Sequence, residues 1–346
     1  MSQERSVRAS AAPGRVLTVD LLRLLATFQM VQGHTIDAVL GAAHRAGALH
    51  AGWLYLRGLT SVAFLFVAGL SFHLATLRRF ERHRADRGAV ERRFRRAGTL
   101  LLVGYLLHFP ADYFLADDPL RQQRALEQAS IVDVLHAIGL SLAALELLVL
   151  ALPSAQAVAR VCAGLGALLL LGAPFLVELD PGGFLRPLLN YVTPAGGSIF
   201  PLLPWAGHIF AGVALSPFML AGSLPRRAAL VALALLLSAQ LAAAVGSPLV
   251  ADHLSRLGWV CAGCGLLALL EGAAGSWPRW LWVLSGETLF IYVVHIWLCY
   301  GQGVGLRDLV GPSLAPLPAL GGAAAMLLLS GFGALAYHRR KTAITR

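Results

Sequence analysis

Stretches of about 20 mostly apolar residues follow one another along nearly the whole chain, separated by short polar connections. About 20 such residues in a helix cross the hydrocarbon core of a bilayer, so each stretch predicts a transmembrane helix. The pattern places helices over Val16–Val39, Trp53–Leu77, Thr99–Ala116, Ile131–Leu152, Ala157–Leu176, Ile199–Ala221, Ala228–Val245, Leu254–Ala273, Leu281–Tyr300 and Leu317–Ala336. The fold class expected is all-α: a polytopic membrane helix bundle of about ten transmembrane helices. No long polar block interrupts the apolar stretches, which predicts one membrane domain over residues 1–346. Within it, 1–15 is a cytoplasmic tail, 16–336 the transmembrane bundle and 337–346 a second cytoplasmic tail. No internal repeat is visible.

Composition agrees. Of 346 residues, 57% are hydrophobic and only 13% charged, with a mean hydropathy of +0.69; soluble domains carry about 25% charged residues. Met1–Arg15 is polar and basic, and the apolar run after it outlasts a signal-peptide core, so a tail is expected rather than a cleaved signal. The four cysteines, Cys162, Cys261, Cys264 and Cys299, all lie in apolar stretches. Cys261 and Cys264 form a CxxC with no second pair, which reads as buried thiols rather than a redox or zinc motif.

The formal net charge is +10, almost all of it arginine in short connections. That is the positive-inside pattern and not a nucleic-acid stripe. Arg78–Arg96 (RRFERHRADRGAVERRFRR) is the strongest cytoplasmic anchor. Arg226, Arg227, Arg279, the segment His338–Lys341 and the tail residues Arg5, Arg8 and Arg15 fall on the same side when the spans alternate. Asp117, Asp118 and Asp252 fall on the other, with Arg121 and Arg124. Both termini are therefore expected to be cytoplasmic.

An ionisable side chain inside a span is costly and marks function by default. Here these are Asp20, Arg23, His34, His73, His108, Asp133, His136, Glu146, His208, Glu271, Glu287 and His295. His34, His108, Asp112, Asp133, His136, Trp205, His208 and His295 fall in one outer layer, while Asp20 and Arg23 lie at the inner side. This predicts a cavity with a histidine-rich outer mouth and a cationic inner one. Asp20 and Arg23 share a helix face and read equally as a structural ion pair or as a site for an anionic donor. Asp133 and His136 read as a general-base pair or as a hydrogen bond within the bundle. Glu271 and Glu287 read as solvated inner-side groups, and His73, His83 and His338, near basic inner segments, as groups without a functional part. No compact metal-ligand spacing occurs, which argues against a metal site.

Five segments carry a resemblance: RVLTVDLLRLLATFQMVQGH (Arg15–His34), RGLTSVAFLFVAGLSF (Arg57–Phe72), IVDVLHAIGLS (Ile131–Ser141), FPLLPWAGHIFAGV (Phe200–Val213) and GETLFIYVVHI (Gly286–Ile296). Together they resemble the heparan-alpha-glucosaminide N-acetyltransferase-like family of bacterial membrane acyltransferases, in the transmembrane acyltransferase superfamily. The resemblance implies transfer of an acyl group, typically acetyl, from cytoplasmic acetyl-CoA to an amine or hydroxyl of a sugar-containing acceptor on the outer side. The co-substrate would be acyl-CoA, with no permanently bound cofactor. The implied location is the bacterial cytoplasmic (inner) membrane; a homodimer stays open. Candidate catalytic residues are His34 or His50, assisted by Asp133 and His136. His34 matches the histidine of the bacterial members, and HAGW (His50–Trp53) resembles the outer-loop segment of eukaryotic relatives. Arg23, Arg78 and Arg79 are candidate coenzyme A contacts, since guanidinium suits phosphate. Asp20, Trp205, His208 and His295 are candidate substrate contacts. The competing reading is a proton-coupled secondary transporter or exporter of a small polar solute, using the same histidines and aspartates as a relay.

Overall fold

The computed structural model describes residues 16–110, 113–114, 117–176, 186–273 and 278–344. The basic tail with Arg5, Arg8 and Arg15, and Asp112, lie outside the described residues. Among the described residues the protein is all-α, with one isolated bridge between Leu40 and Leu314. The helices are α1 Leu17–Val39, α2 Gly47–Ala75, α3 Phe80–Ala85, α4 Arg87–Leu107, α5 Pro119–Ala129, α6 Val134–Ala151, α7 Ala155–Leu176 and α8 Arg186–Leu189. They continue with α9 Leu202–Leu220, α10 Leu224–Ala244, α11 Pro248–Ala273, α12 Arg279–Gly286, α13 Thr288–Tyr300, α14 Leu306–Leu309 and α15 Pro316–Ile344.

Seven described helices or near-continuous helix runs are long and apolar enough to cross a membrane, and the bent pair α12–α13 brings the number to eight. The expected ninth span is thus broken: α12 and α13 meet at 68°. The expected third span also differs. Its helix, α4, begins in the arginine-rich segment at Arg87 and ends at Leu107. Pro110 disfavours helix at the residue before it, so the apolar part of α4 is short. α1 falls below the hydropathy of a plain span because it carries Asp20, Arg23, Gln29, Gln32, His34 and Asp37.

The chain forms two compact units, Met1–Thr60 with Gly263–Arg346, and Ser61–Ala262. In the first, α1 packs on α12, α13 and α15. The N-cap of α1, Val16, offers no side-chain bond. Glu271 at the end of α11 takes over: its Oε2 accepts from the Thr18 N–H (3.0 Å) and from the Thr18 hydroxyl. At the other end Leu314 N–H donates to Val39 O (2.8 Å) and Gly41 N–H to Leu314 O (2.9 Å). Glu287, at the α12–α13 bend, is buried and meets His338 Nδ1 (2.9 Å) and Lys341 Nζ (3.3 Å) of α15. Glu271 and Glu287 therefore have protein partners where solvated groups were expected.

In the second unit α9 packs on α7, and α4 on α6. Lipid supplies no hydrophobic drive between helices, so close approach at small residues holds them together. Gly69 of α2 and Gly212 of α9 interlock: a Cβ on Gly69 would collide with Ile209 O, and one on Gly212 with Phe66 O. Leu65, Phe72, Leu145, Val158, Ile209 and Val213 form the apolar core around this crossing. The α3 segment docks on α6 through the buried His83, whose Nε2 lies 2.6 Å from Oε1 of the fully buried Glu146. Arg84 donates to Leu150 O and Leu152 O at the end of the same helix. Asp86 caps α4 by accepting from the Ala89 N–H (3.0 Å), and that bond holds its carboxyl below the usual carboxylate range.

All four cysteines are buried and none is in a disulfide. Replacing Gly69 by Ala should cost about 1–3 kcal/mol of stability, since a methyl has no room against the α9 backbone. Gly164→Ala, which meets nothing within 4 Å, is the matched control. Thermal unfolding in detergent should show a clear drop for Gly69→Ala and none for the control.

Candidate active site

Along α1 the polar positions stack in two groups, with 11 residues or about 16 Å of helix between Arg23 and His34. Near the N-terminal end, Asp20 is buried. Its Oδ1 accepts from Arg23 Nη1 at 3.2 Å and from the Ser285 hydroxyl of α12 at 2.7 Å. Thr27 donates to Arg23 O, which firms the same turn. The pair is thus an ion pair within α1, anchored to α12 through Ser285, with Arg23 still partly exposed.

The second group gathers at the C-terminal half of α1. His34 Nδ1 lies 2.9 Å from Nε2 of His295 on α13, and the two ring planes are within 6° of parallel. His295 is fully buried and its Nδ1 lies 2.7 Å from Ile291 O. His34 is only partly buried. Tyr300 Oη is 3.2 Å from His34 O and 3.3 Å from Asp37 Oδ2, donating to either. Asp37 also meets Arg45 (3.4 Å) and Arg57 (3.3 Å). Arg57 runs against Gly33, where a Cβ would come within 3.3 Å of its Cγ. His50, in the first turn of α2, has its ring centroid 5.4 Å from that of Trp53 at a tilt of 31°, and the Trp53 ring also carries the Arg57 guanidinium at 5.6 Å. The first unit therefore joins His34 and His295, and sets His50 on the Trp53–Arg57 side of Asp37.

The remaining candidates belong to the second unit. Asp133 is the N-cap of α6, and its Oδ1 accepts from the N–H groups of Leu135 and His136. The Asp133 N–H in turn points back at His136 Nδ1 (3.2 Å), which completes a capping box, and the same Nδ1 lies 2.7 Å from Asp133 Oδ1. Both side chains are buried, and His136 presses on Gly104 and the Tyr105 ring. His108 Nδ1 lies 3.9 Å from Asp133 Oδ2. Tyr105 and Tyr191 share a short hydroxyl–hydroxyl bond; burial and that bond push the Tyr191 phenol well above its ordinary range.

A separate group forms where His208 Nε2 meets His253 Nδ1 at 3.1 Å, with Trp205 edge-on to His253. Trp205, His253, Val192, Pro201 and Leu249 help to line a pocket of about 170 Å³. Arg78 and Arg79 stand exposed in the turn Leu77–Arg79. The histidines expected in one outer layer thus sort into three groups, one in the first unit and two in the second. Among the described residues no group of three or more His, Cys, Asp or Glu is placed to hold a metal ion.

Several partners were not singled out in the sequence: Asp37, Arg45, Arg57, Tyr300, Tyr105, Tyr191 and His253. Asp37 does extend the i, i+3 spacing from His34, and His253 follows Asp252 at a helix start, both local signals. Tyr300 carries no such signal, because its partners lie more than 260 residues away in sequence.

A family model described as heparan-alpha-glucosaminide N-acetyltransferase, catalytic, matches residues 15–250. The chain belongs to this family. The match covers α1 with His34 and stops short of α13 with His295. A comparison with the curated proteins returns no match. Membership and the apolar helices make this an integral membrane protein of the acyltransferase class, and acetyl-CoA is the co-substrate that the family implies.

Asp133→Ala should cost about 0.5–2 kcal/mol through loss of the α6 cap. A fall in melting temperature, smaller in Asp133→Asn because Asn still caps, is the expected measurement.

Proposed function

We propose that the protein transfers an acetyl group from cytoplasmic acetyl-CoA to an amine or hydroxyl of a sugar-containing acceptor on the opposite side of the membrane, with His34 as the general base. The observation that carries this reading is the setting of His34. It is partly exposed, it is held at Nδ1 by a buried imidazole, and Tyr300, Asp37 and Arg57 stand around it. Its second ring nitrogen takes no part in that bond. A general base needs this combination of access and fixed orientation. His50 lacks such a partner on its ring nitrogens among the bonds described, so His34 is preferred.

The step forms a C–N or C–O bond between acceptor and acetyl carbon and breaks the thioester C–S bond. The acceptor's proton passes to His34 and on to the departing sulfur, leaving coenzyme A as a thiol. Arg23, oriented by Asp20 and partly exposed, is the proposed contact for the anionic donor. Asp133 and His136 are assigned a structural task at the start of α6, since both are enclosed and already serve as its cap. Trp205 and His253, which line the pocket of the second unit, are given no part in the step at His34. Arg78 and Arg79 are given no part in the reaction.

We also read ten crossings with both termini cytoplasmic: the eight apolar candidates plus α1 and α4. At 1.5 Å per residue α1 is about 34 Å long, enough for a hydrocarbon layer of about 30 Å, while α4 would enter that layer only with its apolar C-terminal half, leaving Arg87–Arg96 on the cytoplasmic side. The ionisable groups of α1, Asp20, Arg23, His34 and Asp37, have protein partners, which lowers the cost of placing it in the bilayer.

Acetyl-CoA at about 100 times its dissociation constant should stabilise the purified protein by about 2.7 kcal/mol, and Arg23→Ala should weaken that saturable shift. No shift in folded protein would sink the donor assignment. His34→Ala should lower transfer about 10²–10⁴-fold while leaving the melting temperature close to wild type; undiminished transfer would remove His34 from the mechanism.

A further inference from the structure

We propose that His295 is a positioning residue that fixes which nitrogen of His34 carries the proton, so that His34 presents a bare Nε2 to the acceptor. This rests on the reading of His34 as general base given above.

The argument starts from a peptide oxygen. Ile291 O can only accept, so His295 Nδ1, 2.7 Å away, must be the nitrogen bearing hydrogen. A neutral imidazole carries one N–H, which leaves His295 Nε2 with a lone pair. His34 Nδ1 lies 2.9 Å from that lone pair and therefore donates to it. His34 Nε2 is then the unprotonated nitrogen. The order cannot be reversed while both rings are neutral, because the Ile291 carbonyl has no proton to give.

The surroundings favour neutral rings. His295 is fully buried, and an unpaired buried cation is expensive. The charged and titratable groups about the pair are Arg57, Arg45, Asp37 and Tyr300 beside His34, and Tyr292, whose ring centroid is 5.7 Å from that of His295. Thr35 and Cys299 meet at 3.7 Å between the same two helices.

The consequence for the reaction is directional. The acceptor's proton goes to His34 Nε2 as its nitrogen or oxygen bonds to the acetyl carbon, and from there to the sulfur released by C–S cleavage. While His34 holds that proton, its Nδ1–H donates to His295 as a charge-assisted bond, about twice as strong as a neutral one. The other tautomer would place N–H at Nε2, where no proton can be accepted.

Histidine ¹⁵N NMR on the purified full-length protein reads the tautomer directly, with His34→Gln used to assign the signal. Wild type should show His34 protonated at Nδ1. His295→Leu should move His34 to the Nε2–H form and lower kcat about 10²-fold or more, with KM for acetyl-CoA within about twofold. Turnover is read as thiol release from acetyl-CoA with glucosamine as the acceptor probe. His295→Gln, whose amide oxygen can accept where Nε2 did, should keep the wild-type tautomer and recover most of kcat. Should His295→Leu not fold, His295→Asn, whose amide stops short of His34, replaces it with the same expectations. An unchanged His34 tautomer in these variants overturns the positioning role whatever the turnover. A changed tautomer with undiminished turnover overturns His34 as base, and the role of His295 falls with it.

Discussion

An ionisable group among apolar helices must find its partner in the protein, because hydrocarbon offers none. The polar contacts of this chain follow that constraint closely. Asp20 is held by Arg23 and Ser285, Glu271 by Thr18, Glu287 by His338 and Lys341, and Glu146 by His83. Each contact is also a choice of neighbour. The Asp20–Ser285 and Thr18–Glu271 bonds join residues 265 and 253 positions apart. They select which helices stand beside α1, where apolar surfaces alone are nearly interchangeable. The candidate site uses the same grammar, since His34 meets His295 across 261 positions.

Where polar groups are absent, small residues decide the packing. Gly69 and Gly212 let two backbones touch, and Gly104 makes room for the His136 ring. The second unit thus combines close glycine contacts with one capped, buried acid–imidazole pair at the start of α6. Rigid placement of this kind gives a site precision that loops cannot supply.

Much of the fold was legible along the chain. Hydrophobic runs located nearly every long helix, and residues such as Asp20, Arg23, His34 and His295 stood out because ionisable groups are rare in such runs. Spacing exposed the local pairs, Asp20 with Arg23 and Asp133 with His136. It did not reveal whether the second pair reacts or caps a helix, since both uses need the same i, i+3 geometry. Glu287 looked solvated because its partners are 51 and 54 residues further along. His83 carried no signal of a partner because its neighbours in sequence are arginines, while the carboxylate it meets is on α6. The break between α12 and α13 was hidden in an apolar run that reads as one helix. Pairing across helices is a property of the folded chain, and a single sequence records it only as isolated polar letters.

The last acceptor in the His34–His295–Ile291 chain is a main-chain carbonyl, and this changes how the arrangement can be lost. A side chain in that place could be removed by one codon change. Substituting residue 291 alters what projects from the helix and leaves the peptide oxygen where it was, so the terminal acceptor is indifferent to sequence drift. The vulnerable link is the ring at 295 alone, and a lineage that keeps that imidazole inherits the orientation with it. Anchoring a proton pattern to the backbone thereby narrows to one position the genetic target on which it depends.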